Sequence, residues 1–382
     1  MNLAGLLEKK RVLICCGSGG VGKTSVSAAL GLLAARQGRK ALVLTVDPAR
    51  RLATALGMDL ADNAETPVPP EAFRAAGIES KGSFHAMMLN AKKTFDDIVE
   101  RYAPSREVRD TIFRNSAYVH GSVALTGSPE YMAVEKLHEL YFERDYDLII
   151  VDTPPLKHAL DFLTAPRRFR GLLTENPLIR ILVAAVGNSG RSPSILSRLG
   201  QRSLFSILAL VTGEKAIEDA VEFFRAFSNL MGGFTGRYTA VEDLFRSEEC
   251  GLLVVTSPNL ITVEEALFLH RKVQGYGMRP AGFIVNRCQP DYLENAAPAL
   301  ESPPAGEAIE AAARAAGVSP QLVEVLVETL RRQALQRRAE EKNIALLSRE
   351  LLPEEFLERI PELPHDVHDL KGLADIGRHL LP

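Results

Sequence analysis

The stretch LICCGSGGVGKTS, residues 13–25, decides the fold. An apolar run enters a glycine-rich turn and leaves it through a Lys-Thr pair. Gly17-x-x-x-x-Gly22-Lys23-Thr24 is the pattern of a phosphate-cradling loop, placed after a strand-like run and before a helix former, as that chemistry requires. Its glycines let backbone amides turn inward around a phosphate, and the helix N-terminus adds the positive end of its dipole. Lys23 would neutralise β- and γ-phosphate oxygens, and Thr24 would offer its hydroxyl to Mg²⁺.

Working outward, five short apolar runs bounded by turn residues read as buried parallel strands: RVLICC (11–16), ALVLTV (41–46), DLIIVD (147–152), GLLVVT (251–256) and AGFIVN (281–286). Helical patterns separate them, the first starting at Thr24 and closed by Gly38. This alternation predicts an α/β fold, a doubly wound and mostly parallel sheet, within one domain over residues 1–382. Two stretches interrupt it, at about 90–145 and 190–248, and they predict a helical subdomain. In the first, Asn90 caps a helix whose apolar face is Ala91, Phe95, Ile98, Val99 and Tyr102. In the second, Ile217, Val221, Phe224, Phe227 and Met231 keep helical spacing. Residues 176–188 fit a strand or a helix by periodicity, and helix is the preferred reading. ETPVPPE (65–71) and ENAAPALESPPAGE (294–307) read as linkers, and a helical segment at about 319–382 closes the chain on the core.

Composition narrows the function classes. Formal net charge is −3, from 45 basic and 48 acidic residues, so no electrostatic footprint for nucleic acid is present. No apolar run approaches the ~18 residues of a membrane span, and the first residues lack the pattern of a signal peptide, so a cytoplasmic location is expected. Cys15, Cys16, Cys250 and Cys288 form no C-x-x-C pair. Cys15 and Cys16 are adjacent on a strand and must face opposite sides, which suits reduced, buried thiols.

Two acidic residues stand at strand ends. Asp152 closes LIIVD and is placed to hold Mg²⁺, partly through water, with Thr24. Asp47 closes the second strand in LTVDPARR, where it can orient an attacking water and assist at the metal, or cap the following helix.

GSGGVGKTS, TVDPARRL and VDTPP in this order resemble the ArsA/Get family of P-loop ATPases, in the larger group that includes nitrogenase iron protein and ParA/MinD. EYMAVEKL (130–137), FIVNRCQP (283–290) and IPELPHDVHDLKGL (360–373) extend the resemblance over most of the chain. It implies Mg²⁺-dependent ATP binding and hydrolysis. Gly17, Ser18, Gly19, Gly20, Val21, Gly22, Lys23, Thr24 and Ser25 would wrap the phosphates. Asp47 and Asp152 would lie in the two switch loops. Asn286, with Arg287 beside it, would read the adenine edge, and Pro364 would pack on the base.

Residue 18 departs from the family, whose members carry a lysine there that reaches the partner's nucleotide in a face-to-face dimer. Ser18 is short and uncharged. Three readings follow: Arg50, Arg51 or Lys157 supplies the charge, with the two arginines ranked first; a second ATPase chain supplies it; or hydrolysis is slow.

The resemblance implies an assembly of two chains, a homodimer or a heterodimer with a second ArsA-like ATPase. Within it, nucleotide state would drive a switch that handles a hydrophobic protein client. Met87, Met88, Phe95, Phe223, Phe224, Phe227, Met231 and Phe234 would line the client groove or pack the helices on the sheet. The alternative is an energising subunit of an anion transporter with a membrane partner. Arsenite is disfavoured because no cysteine falls in the insertions. A ParA-like partitioning role is less favoured on charge.

Overall fold

The computed structural model describes residues 2–47, 49–115, 129–175, 233–290, 307 and 311–381. The segment 176–188 and the apolar set Ile217, Val221, Phe223, Phe224, Phe227 and Met231 lie outside the described residues, as does most of the linker at 294–307.

Among the described residues eight strands form one sheet: β1 (Val12–Gly17), β2 (Lys40–Thr45), β3 (Thr66–Pro67), β4 (Ser83–Met88), β5 (Leu148–Asp152), β6 (Cys250–Thr256), β7 (Pro280–Cys288) and β8 (Phe356–Pro361). Their order is β3-β4-β2-β5-β1-β6-β7-β8, and every pairing is parallel except β3 with β4. The five runs legible as strands occupy the centre of this order. Buried on both faces, those strands must be apolar throughout. The three that escaped sequence reading are the margins. β4 (SFHAMM) and β8 (FLERIP) interleave polar residues with apolar ones, and β3 is a two-residue strand inside the stretch read as a linker.

Period-two alternation splits each central strand between two cores. Leu13, Cys15, Val43, Ile150 and Val255 face one side, under α1 (Leu3–Lys9), α2 (Lys23–Arg36), α3 (Arg51–Leu56), α4 (Pro70–Ala75) and α12 (Leu370–Leu380). Ile14, Cys16, Leu44, Val151 and Val254 face the other. That side carries α5 (Ala91–Tyr102), α6 (Arg106–Arg114), α7 (Pro129–Glu143), α8 (Leu156–Glu175), α9 (233–246), α10 (Leu260–Gly275) and the C-terminal half of α11 (Pro320–Glu350). Cys15 and Cys16 therefore point to opposite faces, as adjacent strand residues must.

The helix that follows the loop is covered on nearly every side. From Val26 to Ala35 each residue of α2 is buried, between the sheet and α12. Its Gly31 rests directly on the sheet, where a Cβ would come within 2.7 Å of the Phe84 ring and 2.9 Å of Val43. On the opposite face Asn90 caps α5 by accepting a hydrogen bond from the Lys93 amide at 2.9 Å, and Phe95, Ile98 and Val99 are buried as the periodicity required. The helical layer is tied together by aromatics: Phe169 stacks on Tyr238 with centroids 4.5 Å apart, and the Tyr238 hydroxyl donates to the Tyr131 carbonyl at 2.9 Å. Among the described residues no helix is long and apolar enough to cross a membrane.

Met87 and Met88 belong to β4 rather than to a helical insertion. They, Phe95 and Phe234 are all 5% exposed or less, so they pack the core and do not line an open groove.

Candidate nucleotide site

The loop between β1 and α2 sits where close approach excludes side chains at both ends. At Gly17, a Cβ would meet the Val255 carbonyl of β6 at 2.0 Å. Gly22 caps α2 with φ +91°, a left-handed conformation that favours glycine, and a Cβ there would lie 2.3 Å from Asn286 Nδ2. Gly19 and Gly20 form the exposed apex.

Asp152 ends β5 in register with Cys15 of β1 and Thr45 of β2. Its carboxylate is fully buried. Oδ2 accepts from Thr24 Oγ1 at 2.8 Å and from Thr45 Oγ1 at 2.9 Å. Oδ1 is buried with no partner. Burial pushes this carboxyl up to about 6, against the two hydroxyls and the nearby Lys23. A buried carboxylate oxygen without a donor carries a desolvation cost that a bound cation removes, and hard oxygen donors are the ligands Mg²⁺ selects. The Thr24–Asp152 pair thus fits a magnesium ion.

Lys23 is 7% exposed, and its Nζ donates to the Ser18 carbonyl at 2.8 Å. Burial lowers its pKa, partly offset by the Asp152 charge. A desolvated ammonium held on one backbone carbonyl is poised for a stronger anionic partner.

Asp47 is half-buried. Its Oδ1 accepts from the Ala49 amide at 3.0 Å, and its Oδ2 faces Arg51 Nη1 at 3.3 Å. Both contacts are local and hold the start of α3. Arg50 Nη2 donates to the Leu60 carbonyl at 3.1 Å, while the Arg51 side chain is 61% exposed. Asn286, at the end of β7, uses its Nδ2 to donate to the Val21 carbonyl at 2.9 Å, bracing the loop. Arg287 is exposed with φ +62°, and Pro364 is exposed in the connection between β8 and α12.

Three neighbours of the loop received no role from the sequence, although Thr45 and Thr153 lie within TVDPARRL and VDTPP. Thr45 completes the Asp152 pair. Thr153 Oγ1 donates to the Cys15 carbonyl at 2.8 Å and fixes the chain just past β5. Glu265, on α10, accepts a hydrogen bond from Ser18 Oγ. Each is an ordinary residue in its own segment, and only parallel pairing and helix docking bring it to the loop. The four thiols are buried and free, each pushed up to about 12 by burial.

The sequence profile described as anion-transporting ATPase matches residues 10–303. The chain is 22% identical over 284 residues to a putative arsenical pump-driving ATPase 2 of Aquifex aeolicus, spanning 74% of this chain and 81% of that protein. It is 26% identical over 228 residues to a putative arsenical pump-driving ATPase of Halobacterium salinarum, covering 59% of this chain and 34% of that one. It is 25% identical over 176 residues to the ATPase GET3 of Malassezia globosa, covering 46% of this chain and 48% of that one. With the profile matched across most of its length and the phosphate loop set at the end of β1, the chain belongs to the ArsA-type anion-transporting ATPase family.

Proposed function

We propose that this protein binds and hydrolyses Mg²⁺-ATP, and that nucleotide state governs its pairing with a second ATPase chain. The observation that carries the reading is the Asp152 carboxylate: fully buried, one oxygen shared by the phosphate-loop Thr24 and by Thr45, the other unpartnered. Thr24 and Asp152 would hold Mg²⁺, which supplies charge neutralisation to the β- and γ-phosphate oxygens. Lys23 would leave the Ser18 carbonyl for the phosphates. Asp47 would orient the attacking water, and Arg50 and Arg51 would supply positive charge that Ser18 does not. Asn286, whose Nδ2 braces Val21, would read the adenine edge with Arg287 beside it, and Pro364 would pack on the base.

The family supports the further step in which the paired chains capture and release a hydrophobic protein client. Met87, Met88, Phe95 and Phe234 do not serve it, because they are core residues. Energising an arsenite pump is the weaker reading: arsenite requires clustered thiolates, and all four cysteines are buried with raised pKa values.

The test is light-scattering mass with Mg²⁺-ADP and with a non-hydrolysable ATP analogue, alongside ATP turnover of the wild type and Lys23→Ala. A dimer with the analogue, and turnover that falls about 100-fold or more in Lys23→Ala, is the expected result. Turnover unaffected by Lys23→Ala overturns the catalytic reading, and a monomer in every nucleotide state overturns the pairing.

A further inference from the structure

A glycine-rich loop is inherently mobile, and ordering it at the moment of binding subtracts from affinity. Here the loop is held from outside at both flanks. On the β7 side Asn286 Nδ2 donates to the Val21 carbonyl at 2.9 Å. On the α10 side Ser18 Oγ donates to Glu265 Oε2. The exposed pair Gly19–Gly20 lies between these braces with no side chain of its own to fix it.

The Ser18–Glu265 contact has a second consequence. Ser18 is 5% exposed, and its carbonyl receives Lys23 Nζ at 2.8 Å. The residue whose side chain is tied to α10 is therefore the residue whose backbone holds the phosphate-seeking lysine. A hydroxyl donating to a carboxylate makes a stronger bond than a neutral pair, so the tie is firm enough to set that position.

We propose, resting on the nucleotide reading above, that Glu265 is a positioning residue for the phosphate site. Through Ser18 it fixes the leading edge of the loop and the waiting place of Lys23, and it makes α10 the element that keeps the loop ready for nucleotide. Glu265 itself would touch no phosphate. It lowers the ordering cost of the loop, so its loss acts on nucleotide affinity more than on the rate of the bound complex. Serine at position 18 is then explained by what it does within its own chain: it is small enough to stay buried and has a hydroxyl to give.

The experiment is a double-mutant cycle on the full chain, with Kd for Mg²⁺-ATP and Mg²⁺-ADP measured by titration calorimetry. Glu265→Ala and Ser18→Ala should each weaken binding about three- to tenfold, the worth of one partly buried hydrogen bond. The double variant should be no weaker than the worse single one, because both remove the same bond. Glu265→Gln retains a carbonyl acceptor for Ser18 Oγ and should restore affinity to within about threefold of wild type. At saturating ATP, turnover of Glu265→Ala should stay within about threefold of wild type, separating KM from kcat. Unchanged affinity in Ser18→Ala, additive losses in the cycle, or a fall in kcat without a change in Kd each overturns the proposal. Should Glu265→Ala fail to fold, Ser18→Ala and Glu265→Gln still decide it. A wild type that binds neither nucleotide would instead sink the nucleotide reading itself.

Discussion

Thr24 Oγ1 and Asp152 Oδ2 are joined by a 2.8 Å hydrogen bond across 128 positions of sequence. It ties the first turn of α2 to the tip of β5 and leaves the other Asp152 oxygen buried without a partner. That arrangement has a measurable pH signature. The Asp152 carboxyl moves from an ordinary 3.8 to about 6 in the folded chain, so between those values the native state holds a proton that the unfolded state has lost. Its contribution to stability is present below the lower value and is lost as pH rises through the upper one. In nucleotide-free protein, denaturant unfolding from about pH 4 to about pH 7 should show the wild type losing stability relative to Asp152→Asn. Mg²⁺ with nucleotide should reverse that loss by giving Oδ1 a cation. A difference between the two proteins that is flat across this range would contradict the assignment.

Arg50 and Arg51 offer a separate test. Arg51 is 61% exposed where it meets the half-buried Asp47, a pair worth about 0–1 kcal/mol, and the exposed Arg50 side chain makes one bond, to the Leu60 carbonyl, so removing either arginine should barely move Tm. If the two guanidiniums serve phosphoryl transfer, the Arg50→Ala/Arg51→Ala double variant should lose more than about tenfold in turnover while its ATP affinity stays within about threefold. Wild-type turnover in the double variant would reduce both to solvated residues at the start of α3.

The thiols should be silent in the native state. Cys15, Cys16, Cys250 and Cys288 are buried with pKa values of about 12, which leaves almost no thiolate at neutral pH. A disulfide reagent should titrate four groups in denaturant and label the folded protein only on the timescale of unfolding, and arsenite should not raise ATP turnover. Rapid native labelling, or turnover stimulated by arsenite, would reopen the metalloid reading.

Gly31 tests the packing that carries the phosphate loop. A methyl group placed there meets Phe84 at 2.7 Å and Val43 at 2.9 Å, both inside van der Waals contact. Gly31→Ala gains helix propensity of about 1 kcal/mol, but overpacking costs about 1–3 kcal/mol, so net destabilisation is expected. Pairing it with Phe84→Leu should recover part of the loss. A variant as stable as wild type would show that α2 can lift from the sheet without cost.

Much of this molecule is written in its sequence because the relevant physics is local. The phosphate loop was legible from glycine, lysine and threonine spacing, since backbone conformation and helix start are properties of neighbouring residues. The five central strands were legible because burial on both faces forces continuous apolar runs. Asp152 could be placed at a strand end for the same reason, and Asn90 could be recognised as a cap.

Other features belong only to the tertiary structure. β4 and β8 carry His85, Glu358 and Arg359 in mixed runs, and they become strands because β2 and β7 present open edges to pair with. Met87, Met88, Phe95 and Phe234 have the composition of either a groove or a core, and packing alone made them core. Thr45, Asn286 and Glu265 come from three separate segments, and parallel pairing and docking of α10 bring them to the loop and its metal-fitting carboxylate. The sequence determined that this chain presents a phosphate loop at the end of a buried strand. The fold decided which distant side chains brace that loop, because register and helix packing are set by long-range burial rather than by nearest neighbours.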